Sequence, residues 1–164
     1  MALNIDFVHS FLFKLLYNLV TLNLIGLHDM SKSLSSIVQA AASSLFERGE
    51  AQSIGLFFSQ DYVVHLTNQD YSRGHKIVQT AIAQVHKAFP EPKVKVEILV
   101  ECGDRVAWQR TLCGVQKGAY KGFPACNHKI MWREMVVSRF EEGLIVEEWV
   151  STDLAEQLLL SRKK

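Results

Sequence analysis

Asp153 is the residue whose type and setting most suggest proton-transfer chemistry. It follows Trp149 by four residues and stands directly before the apolar run LAEQLLL. A carboxyl group among apolar and aromatic neighbours resists ionisation, because burial disfavours its charged form. With its pKa raised toward neutrality, one such group can act as both general base and general acid. The position also has a plainer reading. An Asp just before an apolar helix is a standard N-cap, accepting orphan backbone N–H groups. Both roles stay open, and a buried cap can fill both. On the preceding strand, Met131, Arg133, Met135, Val137 and Arg139 share one face, because side chains alternate along a strand. Trp108, Trp132 and Trp149 also fall on expected strands. Their flat rings suit contact with a polycyclic ligand, and they fit core or interface positions as well.

Metal chemistry is not indicated. The six histidines are His9, His28, His65, His75, His86 and His128, and none stands in H-x-x-x-H or H-E-x-x-H spacing. Cys102, Cys113 and Cys126 are odd in number and form no C-x-x-C pair. Isolated cysteines of this kind fit a reducing compartment, each a small buried hydrophobe.

The elements that must position these residues follow from periodicity. Residues 31–48 have helical spacing through Leu34, Ile37, Val38, Ala41 and Leu45, and Gly49 ends the run. A second short helix is expected over 51–58, then a strand over 61–66. The stretch NQDYSRG, 68–74, reads as a turn-rich loop. A further helix over 74–89 carries Ile77, Val78, Ala81, Ile82 and Val85 on one face and stops at Pro90. Thereafter strands dominate. Val94, Val96, Ile98 and Val100 alternate with charged residues, the mark of a half-buried strand. Strands over 105–114, 129–140 and 144–151 follow, with a Gly-rich loop between the first two and the tight turn EEG between the last two. Residues 154–160 form a closing apolar helix. Helices first and a meander after them imply α+β, with helices on one face of a curved sheet.

The whole chain has 164 residues, with 18 Lys and Arg against 17 Asp and Glu, for a net charge of +1. That balance offers no basic field for nucleic acid. Residues 1–29 stand apart, since Lys14 is the one fully charged residue between Phe7 and Leu27. Three readings of this segment stay open: an extension or extra packed helix, a membrane-associated segment, or a cleaved signal. It is polar for a membrane span and has neither a basic start nor a small-residue cleavage site. Met30 begins MSKSLSSIVQAAASSLFERGE, which reads as an ordinary protein start. We therefore expect an apolar extension over 1–29 and a domain over 30–164. Cytoplasmic location is expected, with membrane association through 1–29 less favoured.

Four segments in order carry a family resemblance: FFSQDYVVH, HKAFPEPKVKVEILVECGDRVAW, GVQKGAYKGFP and RFEEGLIVEEWVSTD. Within the last, Arg139, Phe140, Gly143, Ile145, Glu147, Trp149 and Asp153 form the most specific string. Together these resemble the SnoaL-like polyketide cyclase (ester cyclase) family of the NTF2-like superfamily, over about residues 34–160. The resemblance implies a cone, in which a curved antiparallel sheet wraps around helices and encloses a deep apolar pocket. It implies homodimers or tetramers formed through the sheet, and ring closure by intramolecular aldol condensation without metal or organic cofactor. The family's catalytic aspartate falls at Asp153. Polar side chains of the strand bearing Arg139 face the pocket in the family, so Arg139 would orient Asp153 or hold an oxyanion. Its alternative is a place in solvent or in a salt bridge. A guanidinium beside Asp153 would lower that carboxyl's pKa, against its use as a base.

His65 matches a histidine common in the family, at the pocket mouth or in a structural role. Glu147 belongs to the pattern too, and Glu148 stands where many members have His. The chain departs from the family at the loop. G-T-H-x-G is replaced by Gly114-Val115-Gln116-Lys117-Gly118, and P-P-T-G by Pro124-Ala125-Cys126-Asn127. An Arg-Trp pair common before the loop is Gln109-Arg110 here. The changed polar groups argue against the anthracycline precursors of the best-known members as ligands.

Two functions follow as expectations. The first is a cofactor-independent cyclase or isomerase acting on a small apolar carbonyl compound. It would use Asp153 and Arg139 for catalysis, and His65, Trp108, Gln109, Trp132, Glu147 and Trp149 for binding. The second is a non-catalytic ligand-binding or dimerisation module of the same fold. A raised Asp153 pKa beside a closed apolar cavity would favour the first. A capping Asp153 and a filled cone would favour the second.

Overall fold

The structure is a computed structural model that describes residues 33–66 and 69–162. The elements below belong to the unit spanning 34–164. Expectations for residues 1–29 lie outside the described residues. Among the described residues, no helix is long and apolar enough to cross a membrane.

Helix α1 spans Leu34–Ala41 and continues as a wider π-type turn over Ala42–Glu47. Its start is tied to a distant strand. The backbone N–H groups of Leu34 and Ser35 donate to the Glu101 carboxylate at 3.2 and 3.0 Å. These bonds satisfy orphan donors and place a negative charge at the positive end of the helix dipole. A 3₁₀ turn over Ala51–Leu56 leads into strand β1, Phe58–Leu66. The strand thus starts three residues before the expected 61, with Phe58 buried at its head.

The expected loop 68–74 is corrected. Gln69–Arg73 forms strand β2, antiparallel to β1. Its polar composition hides it, because an edge strand needs only backbone pairing on one side. Helix α2 spans His75–Ala88 and buries Val78, Ile82 and Val85. Strands β3 (Lys93–Cys102), β4 (Arg105–Val115), β5 (Lys129–Glu141) and β6 (Leu144–Thr152) follow, and α3 (Leu154–Leu160) closes the chain.

The six strands order as β2-β1-β6-β5-β4-β3. All neighbours are antiparallel except β1 and β6, which run parallel. The mixed α+β architecture is the one expected.

One register expectation fails. A bulge between Ile98 and Val100 turns Val100 opposite Ala107, and it is 54% exposed. A single extra residue reverses every side chain after it.

The sheet's inner face is the core. On β4 the buried positions are Val106, Trp108, Arg110 and Leu112. On β5 they include Ile130, Trp132, Val136, Ser138 and Phe140. Two apolar clusters result. The larger joins α1, β1 and α2 to Trp108, Val136 and Phe140. The smaller gathers Phe89, Leu112, Tyr120, Trp132, Leu154 and Leu158 under α3.

The Gly-rich loop is held from within. Gln116 is 1% exposed and its amide donates to the carbonyls of Gly118 and Pro124 at 3.1 and 3.2 Å. The N–H groups of Lys117 and Gly118 both donate to the Ala88 carbonyl, fixing the loop on the end of α2.

Candidate functional site

The inner face of the sheet carries polar groups where periodicity alone would place hydrophobes. Glu148 lies on β6 opposite Ser138 of β5 and Val64 of β1. It is buried, 7% exposed. Ser138 donates its hydroxyl to one Glu148 oxygen at 2.6 Å, and Tyr62 donates to the other at 2.8 Å. The Trp108 indole N–H donates to Ser138 Oγ at 2.9 Å, completing a chain from aromatic to acid. Burial is the largest influence on Glu148 and raises its pKa. The bonds from Ser138 and Tyr62 and the charge of Arg110 pull the other way. Burial also holds the Tyr62 hydroxyl well above its ordinary range, so it remains a donor.

A second polar pair lies farther along the same face. Arg110 of β4 and Glu134 of β5 are register partners. Arg110 directs Nε to Glu134 Oε2 at 2.8 Å and Nη2 to the same oxygen. Trp132 Nε1 donates to the remaining Glu134 oxygen at 3.3 Å. The Phe46 ring, presented by the π-type turn after α1, lies 3.8 Å from the guanidinium carbon. Such stacking suits a flat cation. By register, Trp108 and Val136 lie on one side of this pair and Leu112 and Trp132 on the other. The ion pair therefore sits at the seam between the two apolar clusters. Near it, burial and then the Glu134 charge push the Tyr120 hydroxyl up to about 12.

The residues singled out in the sequence fall in three places. Trp108 and Trp132 are interior and belong to the polar chains above. His65, Arg139, Glu147 and Trp149 come together on the outer face. His65 Nε2 meets Glu147 Oε1 at 2.8 Å, and Arg139 Nε donates to Glu147 Oε2 at 2.9 Å. The hydrogen bond to His65, and next that to Arg139, lower the Glu147 pKa. The His65 ring stacks on Trp149 at 5.1 Å, with the Arg105 guanidinium 5.3 Å from the same indole. Gln109 is on that outer face too, between Glu97 and Met135.

Asp153 stands alone at the sheet end. It occupies the N-cap position of α3 and is half-buried, but its side chain accepts no helix backbone N–H, which corrects the capping expectation. Its carboxylate accepts the Arg133 backbone N–H at 2.7 Å and the Gln157 amide at 3.4 Å. Arg139 lies six residues along β5 from Arg133, about 20 Å at strand rise, and is paired with Glu147 instead of Asp153.

Of the functional candidates here, Glu148 and Arg110 stand in the sequence only as departures from the family pattern, and Ser138, Tyr62 and Glu134 carry no motif. A signal for two of them existed. Arg110 and Glu134 share the two-residue register of Trp108 and Trp132, which marks them as inward-facing.

One surface hollow, 720 Å³, is lined by His128, Ile130, Met131, Gln157 and Leu160, among others. Another, 510 Å³, lies at the β5–β6 turn beside Ser59. Neither is lined by Glu148, Arg110 or Asp153. Among the described residues, no group of three or more His, Cys, Asp or Glu side chains is placed to hold a metal ion.

Comparison with known proteins agrees with this architecture. Curated protein sequences give no significant match. Among solved structures, AclR of Streptomyces galilaeus, a provisionally assigned hydroxylase, superposes with a TM-score of 0.68 at 21% identity, over 80% of this chain and 96% of its own. IdmH of Streptomyces antibioticus, a provisionally assigned polyketide cyclase, gives 0.67 at 20%, over 81% and 100%. A protein of Acidithiobacillus ferrooxidans with the same provisional assignment gives 0.70 at 16%, over 82% and 97%. The sequence model of the SnoaL-like polyketide cyclases matches residues 36–159, so the chain belongs to the SnoaL-like polyketide cyclase family.

Proposed function

We propose that the protein is a cofactor-independent cyclase or isomerase of small apolar carbonyl compounds, and that Glu148 is its acid–base group. The observation that carries this reading is the buried Glu148 carboxyl, held by Ser138 and Tyr62 and raised in pKa by its enclosure. Raising a carboxyl pKa brings its two protonation states closer in population near neutral pH. In the ionised form Glu148 removes a proton from the carbon beside a carbonyl. The resulting acid returns that proton to the new alkoxide in a ring closure, or to a different carbon in an isomerisation. No proton is consumed in either cycle. Asp153 is the less favourable candidate, because its carboxylate is engaged by the Arg133 N–H outside the aromatic interior.

The first half-reaction can be followed without knowing the product. In deuterated water, the protein should catalyse exchange of the hydrogens beside the carbonyl in a panel of aryl ketones and polyketide methyl esters, read by NMR. Glu148→Gln should slow this exchange by about 10²–10⁴-fold, the usual contribution of a positioned acid or base. Exchange unaffected by Glu148→Gln would remove the residue from the mechanism.

A second reading is a non-catalytic ligand-binding or dimerisation module. It is favoured by the filled interior, where Leu45, Phe89, Leu112 and Trp132 are at most 1% exposed. It also accounts for exposed Val100, Met131 and Met135 on the outer face. Ligand binding with no exchange of any probe would support this second reading.

A further inference from the structure

We propose that Arg110 binds a negatively charged oxygen of the ligand through its Nη1 edge, so that the interior site takes a carbonyl compound bearing a carboxylate or a stabilised enolate. The inference rests on the reading of the inner face as a substrate site, and it names the substrate's charge.

The first support is an unfinished hydrogen-bond set. A guanidinium has five N–H donors in a planar fork. Arg110 spends Nε and Nη2 on a single oxygen of Glu134, while Nη1 donates to no acceptor among the described residues. Nor is Nη1 sealed in. The one side-chain nitrogen or oxygen among the described residues that is both fully buried and unpartnered is His86 Nε2.

Access is the second support. Arg110 and Glu134 keep 10% and 15% of their side-chain surface open. Ser138, beside Glu148, keeps none. The guanidinium edge is therefore not closed off from outside the sheet.

The third is electrostatic. The Phe46 ring centroid lies 3.8 Å and the Trp108 ring 5.5 Å from the guanidinium carbon, so the charge sits between aromatic faces with one edge left open. In such a setting a charge-assisted hydrogen bond is about twice as strong as a neutral one. Arg110 also acts at a distance on Glu148, whose ionised form its positive charge favours. The same guanidinium thus stabilises negative charge on the base and on the ligand.

Binding is tested apart from turnover with a stable pair of probes, 4-oxo-4-phenylbutanoate and its methyl ester. Quenching of tryptophan fluorescence reports occupancy near Trp108 and Trp132. Removing Arg110 alone would strand a buried Glu134 charge, so the variant is Arg110→Met with Glu134→Gln, which removes the pair together. Its fold is checked by circular dichroism. A second variant, Arg110→Lys, keeps the charge and removes the fork. The wild-type protein should bind the acid at least about tenfold more tightly than the ester. The double variant should lose that preference, and Arg110→Lys should retain part of it. Equal binding of acid and ester by the wild type, no binding of either, or a preference surviving in the folded double variant overturns the proposal. If the preference holds while Glu148→Gln leaves proton exchange untouched, the acid–base reading fails and the anion site stands.

Discussion

At the scale of single residues, what distinguishes Glu148 from Asp153 is enclosure. Asp153 accepts the backbone N–H of Arg133 on β5, so its oxygen matters more than its charge. Asp153→Asn keeps that acceptor and should shift stability by less than about 0.5 kcal/mol, whereas Asp153→Ala, which strands the Arg133 N–H, should cost about 1 kcal/mol. Chemical denaturation of the two variants checks this.

Glu148 makes a different prediction, through pH. Its folded-state pKa is raised above the ordinary 4.5. The folded state therefore binds the proton more tightly than the unfolded chain. This contribution to stability is fully present below about pH 4.5 and is lost as pH rises through the folded-state pKa. Glu148→Gln removes the ionisation. Relative to wild type, the variant's thermal midpoint should be higher at pH 8 than at pH 5. A difference independent of pH would contradict a raised pKa.

At the scale of elements, the helices and most strands were legible from periodicity, because each has one apolar face. Strand β2 was not, since Gln69–Arg73 pairs through its backbone and carries no apolar alternation. Nor was the reversal of Val100, which depends on one bulged residue. The site was half legible for a related reason. Motif matching drew attention to Arg139, Glu147 and Trp149, which share the outer face, while their neighbours Ser138 and Glu148 face inward. A single step along a strand separates the two sets. The loop offers a sharp test of element packing. A Cβ on Gly118 would lie 2.6 Å from the Lys87 carbonyl oxygen. Backbone cannot yield as a side-chain tip does, so Gly118→Ala should destabilise by about 1–3 kcal/mol. Gln116→Ala, which strands the carbonyls of Gly118 and Pro124, should cost a similar amount. Urea unfolding midpoints read both.

At the scale of the whole molecule, the sheet has two faces with separate roles. The inner face holds a carboxyl, an ion pair and two tryptophans within apolar clusters. The outer face holds Met131 and Met135, 51% and 45% exposed, and, farther along β5, the His65–Glu147–Arg139 chain. An apolar patch rimmed by charges is the pattern of a protein interface. In sedimentation velocity the protein should run as a dimer, and Met135→Glu should shift it to monomer. A wild-type monomer at all concentrations would leave the outer face without that role.

The central claim is that the enclosed carboxyl, not the one at the helix start, moves the proton. It is tested most directly by comparing Glu148→Gln and Asp153→Asn in one deuterium-exchange assay on the same aryl ketone. The account predicts that Glu148→Gln loses at least about a hundredfold in exchange rate while Asp153→Asn stays within about twofold of wild type. The reverse ranking, with Asp153→Asn inactive and Glu148→Gln unimpaired, would contradict it.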